Sequence, residues 1–295
     1  MRRVEYQLST GDEGQCVEAF LLSQGYARRL VVALKQLPEG LMVEGKRVRS
    51  TTLLHADTTL VVSLPDETPR AMQNTALSIP ILYEDEDLVV YDKPAGLPCH
   101  RSGGHLYDTI ENAYGAGIFR AVYRLDRDTS GALLVAHHQM SAGRLWQQVQ
   151  KRYIAVASGR FSEESGEIRF PLLRESPYEP RQIASPDGRP ALTQWHLLWQ
   201  DDEMALLECV PETGRMHQIR VHLAEIGHPL LGDALYGGNC NRIGRQALHC
   251  ATIRFLHPMT GQQMKIFSPL PQDLRLLLET HGKISPYAYS HLNIE

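Results

Sequence analysis

Tyr123-Arg124-Leu125-Asp126-Arg127-Asp128-Thr129-Ser130-Gly131 runs directly into Ala132-Leu133-Leu134-Val135-Ala136. The apolar run reads as a buried strand or the start of a buried helix. It places the charged stretch before it at the edge of a core rather than out in solvent. A carboxylate there, Asp126, needs partners. Arg124, Arg127 or a distant cation can supply them. An ionised, positioned Asp among cations suits nucleophilic or base chemistry on an anionic substrate. Asp128, directly before Thr129-Ser130-Gly131, reads instead as a residue closing a turn or capping a helix.

Strand signals surround this stretch. Ile81 to Gly96 reads as two short strands about the acidic turn Glu84-Asp85-Glu86-Asp87, followed by a Pro-Gly loop. Further β-rich stretches lie near 153–159, 191–199 and 204–210, with helical patterns at 141–150 and from Met216 to Ile226. This mixed order implies an α+β domain on a largely antiparallel sheet, spanning 81–280. Residues 1–65 form a candidate separate unit. Helical spacing runs from Val17 to Leu37, with Phe20, Leu21, Leu30, Val31 and Leu34 as its apolar positions and Gly25 dividing it in two. A hairpin turning at Glu44-Gly45 and a strand over Thr59–Leu64 follow. Residues 66–80, rich in proline and charge, read as a linker. Residues 281–295 read as a docked C-terminal tail.

The chain has 295 residues, 43% of them hydrophobic and 22% charged, with a net charge of −4. That is an ordinary globular composition, and its acidity argues mildly against nucleic-acid binding unless the cations are grouped locally. Five cysteines at wide spacing, without a CxxC pair, imply free thiols in a reducing cytoplasm rather than a disulfide framework or a zinc site. The sequence lacks an apolar run of membrane-spanning length, so no membrane partner is expected. It also lacks a GxxxxGK loop and a dinucleotide fingerprint, so no cofactor is implied. His217, His222 and His228 invite a metal reading, but their spacing is not HExxH and no acidic ligand is interleaved.

Arg124 to Gly131 resembles the catalytic motif of RluA-type pseudouridine synthases, which convert uridine in structured RNA to its C-glycoside isomer. The family often has His where this chain has Tyr123. The resemblance covers residues of about 80–275 in several ordered motifs. It implies Asp126 as the essential carboxylate, acting as a nucleophile at the anomeric carbon or as a base at the neighbouring sugar carbon; the sequence does not separate the two. It implies Tyr153, in Lys151-Arg152-Tyr153-Ile154, as an active-site phenol whose ring packs on the uracil and whose hydroxyl serves proton transfer. In Thr213-Gly214-Arg215-Met216-His217-Gln218-Ile219-Arg220 it implies Arg220 as the cation pairing with Asp126. If that segment is helical, Met216 and Arg220 share a face. Arg215 reads as a structural or RNA-phosphate contact. Leu248, in Ala247-Leu248-His249-Cys250, lines the uracil pocket or packs the core. Gly227 to Gly237 extends the resemblance and reads as a loop closing the core.

The target uridine has to leave the RNA stack to reach Asp126, and Arg124 is a candidate to fill the vacated place by stacking. The N-terminal unit resembles the small RNA-binding domain shared by ribosomal proteins and tyrosyl-tRNA synthetases. There Arg28, Arg29, Lys35, Lys46, Arg47 and Arg49 are candidates for phosphate contacts. The expected partner is a ribosomal or transfer RNA substrate, met by a monomer. Two other classes remain: an RNA-binding protein of the same fold without catalysis, and a glycoside hydrolase needing a second carboxylate near Asp126.

Overall fold

The computed structural model describes residues 2–65, 72–115 and 117–279. The expected tail, and the part of the expected linker over 66–71, lie outside these residues.

The first part of the chain runs β1 (Arg2–Gln7), α1 (Val17–Ser23), α2 (Arg28–Gln36), β2 (Leu41–Val43), β3 (Lys46–Arg47) and β4 (Thr59–Leu64). Its sheet has the order β1-β4-β2-β3. The two short helices, the hairpin and β4 follow the periodicity of the sequence, and Phe20, Leu21, Leu30, Val31 and Leu34 are all buried in one apolar cluster. Strand β1 was not anticipated. Arg2-Arg3-Val4-Glu5-Tyr6-Gln7 is mostly charged and polar; pairing along the whole of β4, from Arg2 opposite Leu64 to Gln7 opposite Thr59, supplies what propensity does not.

The second part continues with β5 (Ile81–Glu84), β6 (Leu88–Lys93), α3 (Ile110–Tyr114), β7 (Ser130–Ala136), α4 (Gln139–Leu145) and β8 (Gln150–Ser158). Then come β9 (Ser165–Ile168), β10 (Leu172–Arg174), β11 (Gln182–Ala184), β12 (Thr193–Gln200) and β13 (Met204–Pro211). Helix α5 (Gln218–Glu225), β14 (Leu248–Leu256), β15 (Gln263–Phe267) and α6 (Gln272–Glu279) complete it. Among the described residues a nine-stranded sheet has the order β5-β6-β7-β14-β8-β13-β12-β9, with β15 on β14. Its pairings are antiparallel except β7 with β14. The α+β class read from the sequence is therefore the class observed. The helix expected over 141–150 starts and ends earlier, because Gln150 already belongs to β8.

Alternation along β8 sends side chains to both faces. Tyr153, Ala155 and Ala157 join a core with Ile219 and Leu223 of α5. Ile154 and Val156 join a second core with Leu274, Leu277 and Leu278 of α6. Each leucine buried in this way contributes about 2 kcal/mol of apolar transfer. The sheet is thus covered on both faces, and β7 is buried along its whole length. The two sheets are tied together through Arg2, which pairs with Glu86 at 2.7 Å, and Arg144, which donates to the Gln24 carbonyl at 2.7 Å and the Pro258 carbonyl at 2.6 Å. Met140 of α4 packs into the apolar cluster of the first sheet.

Candidate active site

Asp126 sits on the short loop that enters β7. Leu125 beside it is buried, and the Thr129 amide donates to the Asp126 carbonyl at 3.2 Å, closing a turn. Gly131 then carries φ +115°, and a Cβ there would lie 2.3 Å from the Cys250 carbonyl oxygen, so only glycine lets β7 run this close to β14. Buried Lys93, at the end of β6, reaches under the loop. Its Nζ donates to the carbonyls of Pro94, Leu97 and Arg127, each at 2.8 Å. Burial pulls its ammonium down to about 8, although the Cys99 thiol and the charges of Asp128 and Asp126 favour the charged form.

Arg220 comes from α5, 94 residues further along the chain, and its Nη1 donates to Asp126 Oδ2 at 3.1 Å. Its Nε and Nη2 form a fork onto the buried Asp233 at 2.7 and 2.8 Å. Burial opposes the guanidinium charge, but the hydrogen bonds and charge of Asp233, reinforced by Asp126, outweigh it and hold Arg220 above its ordinary value. The Tyr236 ring lies 5.0 Å from the guanidinium carbon. The Asp126 side chain is a quarter exposed (25%), and Oδ1 takes no hydrogen bond from the described residues. One oxygen is oriented by Arg220, and the other is unengaged among the described residues.

The segment before α5 corrects the sequence reading. The helix starts at Gln218, so Met216 lies outside it and shares no helical face with Arg220. His217 is left-handed at φ 55°, which turns its ring toward the site. Its Nδ1 meets the Tyr236 hydroxyl at 2.8 Å and its Nε2 lies 3.9 Å from Asp126 Oδ2. Burial lowers its pKa against the pull of Asp126. Arg215 Nε donates to the Pro190 carbonyl at 3.0 Å, a contact within the chain. His222 has both ring nitrogens engaged, by Thr193 Oγ1 and the Phe170 carbonyl, each at 2.9 Å.

Tyr153 lies on β8 opposite Cys209 of β13 and Cys250 of β14, with 7% of its surface exposed. Burial raises its phenol well above 10, helped by the neighbouring Cys250 thiol and the Asp126 charge, so the hydroxyl stays protonated. Leu248 is buried at the start of β14, opposite Ala155. Tyr123 donates to the Ala132 carbonyl at 2.6 Å and lies under Lys151 Nζ. Arg124 is exposed and makes no hydrogen bond or ion pair with a described residue. On the first sheet Arg28 and Arg29 of α2, Lys46 and Arg47 of β3, and Arg49 are exposed. Lys35 is engaged by Glu18 at 3.0 Å.

Among the described residues Asp85, Asp87 and His257 bring their donor atoms within 4.8 Å of one another. His257 Nδ1 accepts the amides of Met259 and Thr260 at 3.3 and 3.2 Å. The proton therefore sits on Nε2, which donates to Asp85 Oδ2 at 2.8 Å. That neutral tautomer makes a hydrogen-bonded anchor, with both ring nitrogens already engaged, rather than a metal ligand.

A protected carboxylate with one free oxygen, a cation clamping the other and a buried phenol on an adjacent strand form a setting for glycosidic chemistry. Residues 87–225 match the family model described as RNA pseudouridylate synthase. The uncharacterized RNA pseudouridine synthase YjbO of Bacillus subtilis is 36% identical over 272 residues, covering 86% of this chain and 95% of that one. The chain belongs to the RNA pseudouridylate synthase family. Ribosomal large subunit pseudouridine synthase D of Nitrosomonas europaea is 37% identical over 244 residues, covering 74% of this chain and 70% of the relative. Human RNA pseudouridylate synthase domain containing 1 superposes with a TM-score of 0.54 at 25% identity, over 71% of this chain and 97% of that one. Members of the family are isomerases that act on uridine in RNA. Lys93, Asp233 and Tyr236, which frame Asp126 here, were not singled out by the sequence reading. The only signal for Lys93 and Asp233 was their place in stretches that read as a Pro-Gly loop and a Gly/Pro-punctuated loop.

Proposed function

We propose that this chain isomerises uridine to pseudouridine in ribosomal RNA, with Asp126 as the essential carboxylate, Arg220 as the cation that orients it and Tyr153 as the active-site phenol. The observation that carries the reading is the division of labour on Asp126: Oδ2 is held by Arg220 at 3.1 Å, while Oδ1 takes no hydrogen bond from the described residues. In the reaction the bond from uracil N1 to the ribose C1′ breaks and a bond from C5 to C1′ forms. C5 loses its proton and N1 gains one, so the step is balanced without redox partner or energy input. The free oxygen of Asp126 serves either as nucleophile at C1′ or as base at C2′. Tyr153, neutral and buried, offers a flat ring to the freed uracil and a hydroxyl for the proton that moves.

Ribosomal RNA is favoured over transfer RNA by the relatives named ribosomal large subunit pseudouridine synthase D. Arg124, exposed beside Asp126, suits stacking in the place vacated by the flipped uridine. The exposed Arg28, Arg29, Lys46 and Arg47 suit phosphates further along the RNA, while Arg215 belongs to the scaffold as much as to the substrate. Lys35 is spent on Glu18 and contributes less. Residues of one chain complete the site, in keeping with a monomer. The free thiols suit the cytoplasm, and no helix among the described residues is long and apolar enough to cross a membrane.

The test compares RNA from cells carrying the wild-type chain with RNA from cells carrying only Asp126→Asn. Pseudouridine is mapped chemically across ribosomal and transfer RNA. A ribosomal site lost only in the variant is the expected result. An unchanged map with the variant folded and expressed would remove the reading, and a site lost only from transfer RNA would move the substrate.

A further inference from the structure

Asp126 is gripped from the α5 side by Arg220. A second guanidinium holds the same loop from the side of α6. Arg245 Nη1 donates to the Asp128 carbonyl at 3.1 Å and the Leu248 carbonyl at 3.3 Å, and Nη2 reaches Ser130 Oγ at 3.3 Å. Asp273, in the first turn of α6, holds Arg245 through Nε at 2.6 Å and Nη2 at 3.0 Å. The Arg245 side chain is only 10% exposed. The preceding carbonyl, that of Arg127, is the one taken by Lys93 at 2.8 Å. Two successive carbonyls of the loop are thus each fixed by a cation, directly after the residue that carries the free oxygen.

From this we infer that Arg245 is a positioning residue for Asp126, and that Asp273 sets its direction by docking it to α6. The inference rests on the reading of Asp126 as the essential carboxylate. A guanidinium has five N–H donors in a fixed plane, and a carboxylate fork on one edge fixes where the remaining donors point. Arg245 spends its fork on Asp273 and turns its other N–H groups to the loop at Asp128 and Ser130 and to the Gln246 and Leu248 carbonyls. α6 in turn is seated by Leu274, Leu277 and Leu278 on the far face of the sheet from α5. The site loop is therefore registered against both faces at once. Displacing a reacting group by about 1 Å costs on the order of a hundredfold in rate without touching binding. Arg245 reaches the site through backbone carbonyls of the loop and of the start of β14, so its loss should appear in the chemical step.

The experiment uses the full chain and total RNA, labelled with tritium at uridine C5, from cells that lack the protein. Tritium release is followed in single turnover at rising enzyme concentration, giving a plateau rate and a half-saturating concentration. For Arg245→Ala the plateau is expected to fall by about tenfold or more, with the half-saturating concentration unchanged within about twofold. An open pocket of about 850 Å³ lined by Gly96, Asp128, Asp273 and Leu276 abuts Arg245, leaving a path for a small cation. Added methylguanidinium should recover severalfold of the lost plateau rate, which a general loss of stability would not allow. A plateau within about twofold of wild type, a loss confined to the half-saturating concentration, or a loss that methylguanidinium leaves untouched would each overturn the inference. If Arg245→Ala does not fold, Asp273→Asn decides it: a plateau lowered about threefold supports the positioning role, and an unchanged one ends it. Asp126→Asn runs alongside. If that variant keeps the wild-type plateau, the reading of the site fails, a result distinct from any outcome at Arg245.

Discussion

Arg220 Nη1 stands 3.1 Å from Asp126 Oδ2 while Asp233 takes the other side of the same guanidinium at 2.7 and 2.8 Å. The buried cation is shared unequally: Asp233 takes two of its five N–H groups and fixes its plane, and Asp126 receives one N–H of Nη1. With its plane set by Asp233, Arg220 meets Asp126 through Oδ2 alone, and among the described residues Oδ1 takes no hydrogen bond.

The sharing can be tested at Asp233. In Asp233→Asn the fork loses its charge, the guanidinium is free to rotate onto both Asp126 oxygens, and a buried cation loses half its compensation. The single-turnover rate should fall by about 10- to 100-fold with RNA affinity little changed. Arg220→Lys should cost about as much, because an ammonium does not bridge two carboxylates in one plane. An Asp233→Asn enzyme at the wild-type rate would show that Asp126 needs no such restraint.

Tyr153 separates ring from hydroxyl. Its phenol is held protonated by burial. If its hydroxyl moves a proton, Tyr153→Phe should lower the single-turnover rate by about a hundredfold while leaving RNA affinity and melting temperature close to wild type. A Phe variant with full activity would reduce the role of Tyr153 to stacking.

Much of the frame was legible because it is written in local periodicity. The buried run of β7 announced itself as Gly131-Ala132-Leu133-Leu134-Val135-Ala136, and the split at Gly25 gave α1 and α2 close to their observed limits. The pairing of Asp126 with Arg220 was expected only through a family resemblance, since 94 residues separate them. Asp233, Lys93 and Arg245 stayed hidden for one physical reason. Each is a charged residue in a stretch that reads as a loop or strand end, and loop charges are usually solvated. Nothing in the neighbouring sequence says that Lys93 turns inward onto three carbonyls, because those acceptors are created by the folded path of the loop. Strand β1 was missed because its partner β4, and not its own composition, makes it a strand.

Lys93 carries a prediction on the alkaline side. Three carbonyl acceptors need the three N–H groups of an ammonium, and the neutral amine has two. With its pKa drawn down to about 8 by burial, the single-turnover rate should decline as pH rises through about 8. The folded value lies below the unfolded 10.5, so this group makes the native state more stable, relative to the unfolded chain, as pH climbs between the two. The loss of rate should therefore come without unfolding. Rates and melting temperatures measured together from pH 7 to 10 check it. A flat rate across that range would mean that the loop does not depend on the third N–H.

His249 sets the acid limit. Its Nδ1 lies 2.9 Å from Ser130 Oγ and its Nε2 lies 3.1 Å from the Ser268 carbonyl, whose Ser268 hydroxyl donates to Asp92 at 2.6 Å. A carbonyl only accepts, so Nε2 carries the proton and Nδ1 accepts from Ser130, which fixes the imidazole as neutral. Burial accordingly pushes its pKa down to about 4 from 6.5. Between those values the unfolded chain binds a proton that the native state refuses, so stability falls as pH drops through this window. The loss approaches about 3 kcal/mol by pH 4, to an order of magnitude. Protonation of Nδ1 would also reverse the hydrogen bond with Ser130, turning the hydroxyl from donor to acceptor four residues from Asp126. Urea unfolding at pH 7 and pH 5 should show the wild type losing about 1 to 2 kcal/mol more than His249→Gln, which has no proton to gain. Equal losses in the two proteins would move the acid sensitivity to other groups, such as the buried His222, whose pKa burial also lowers.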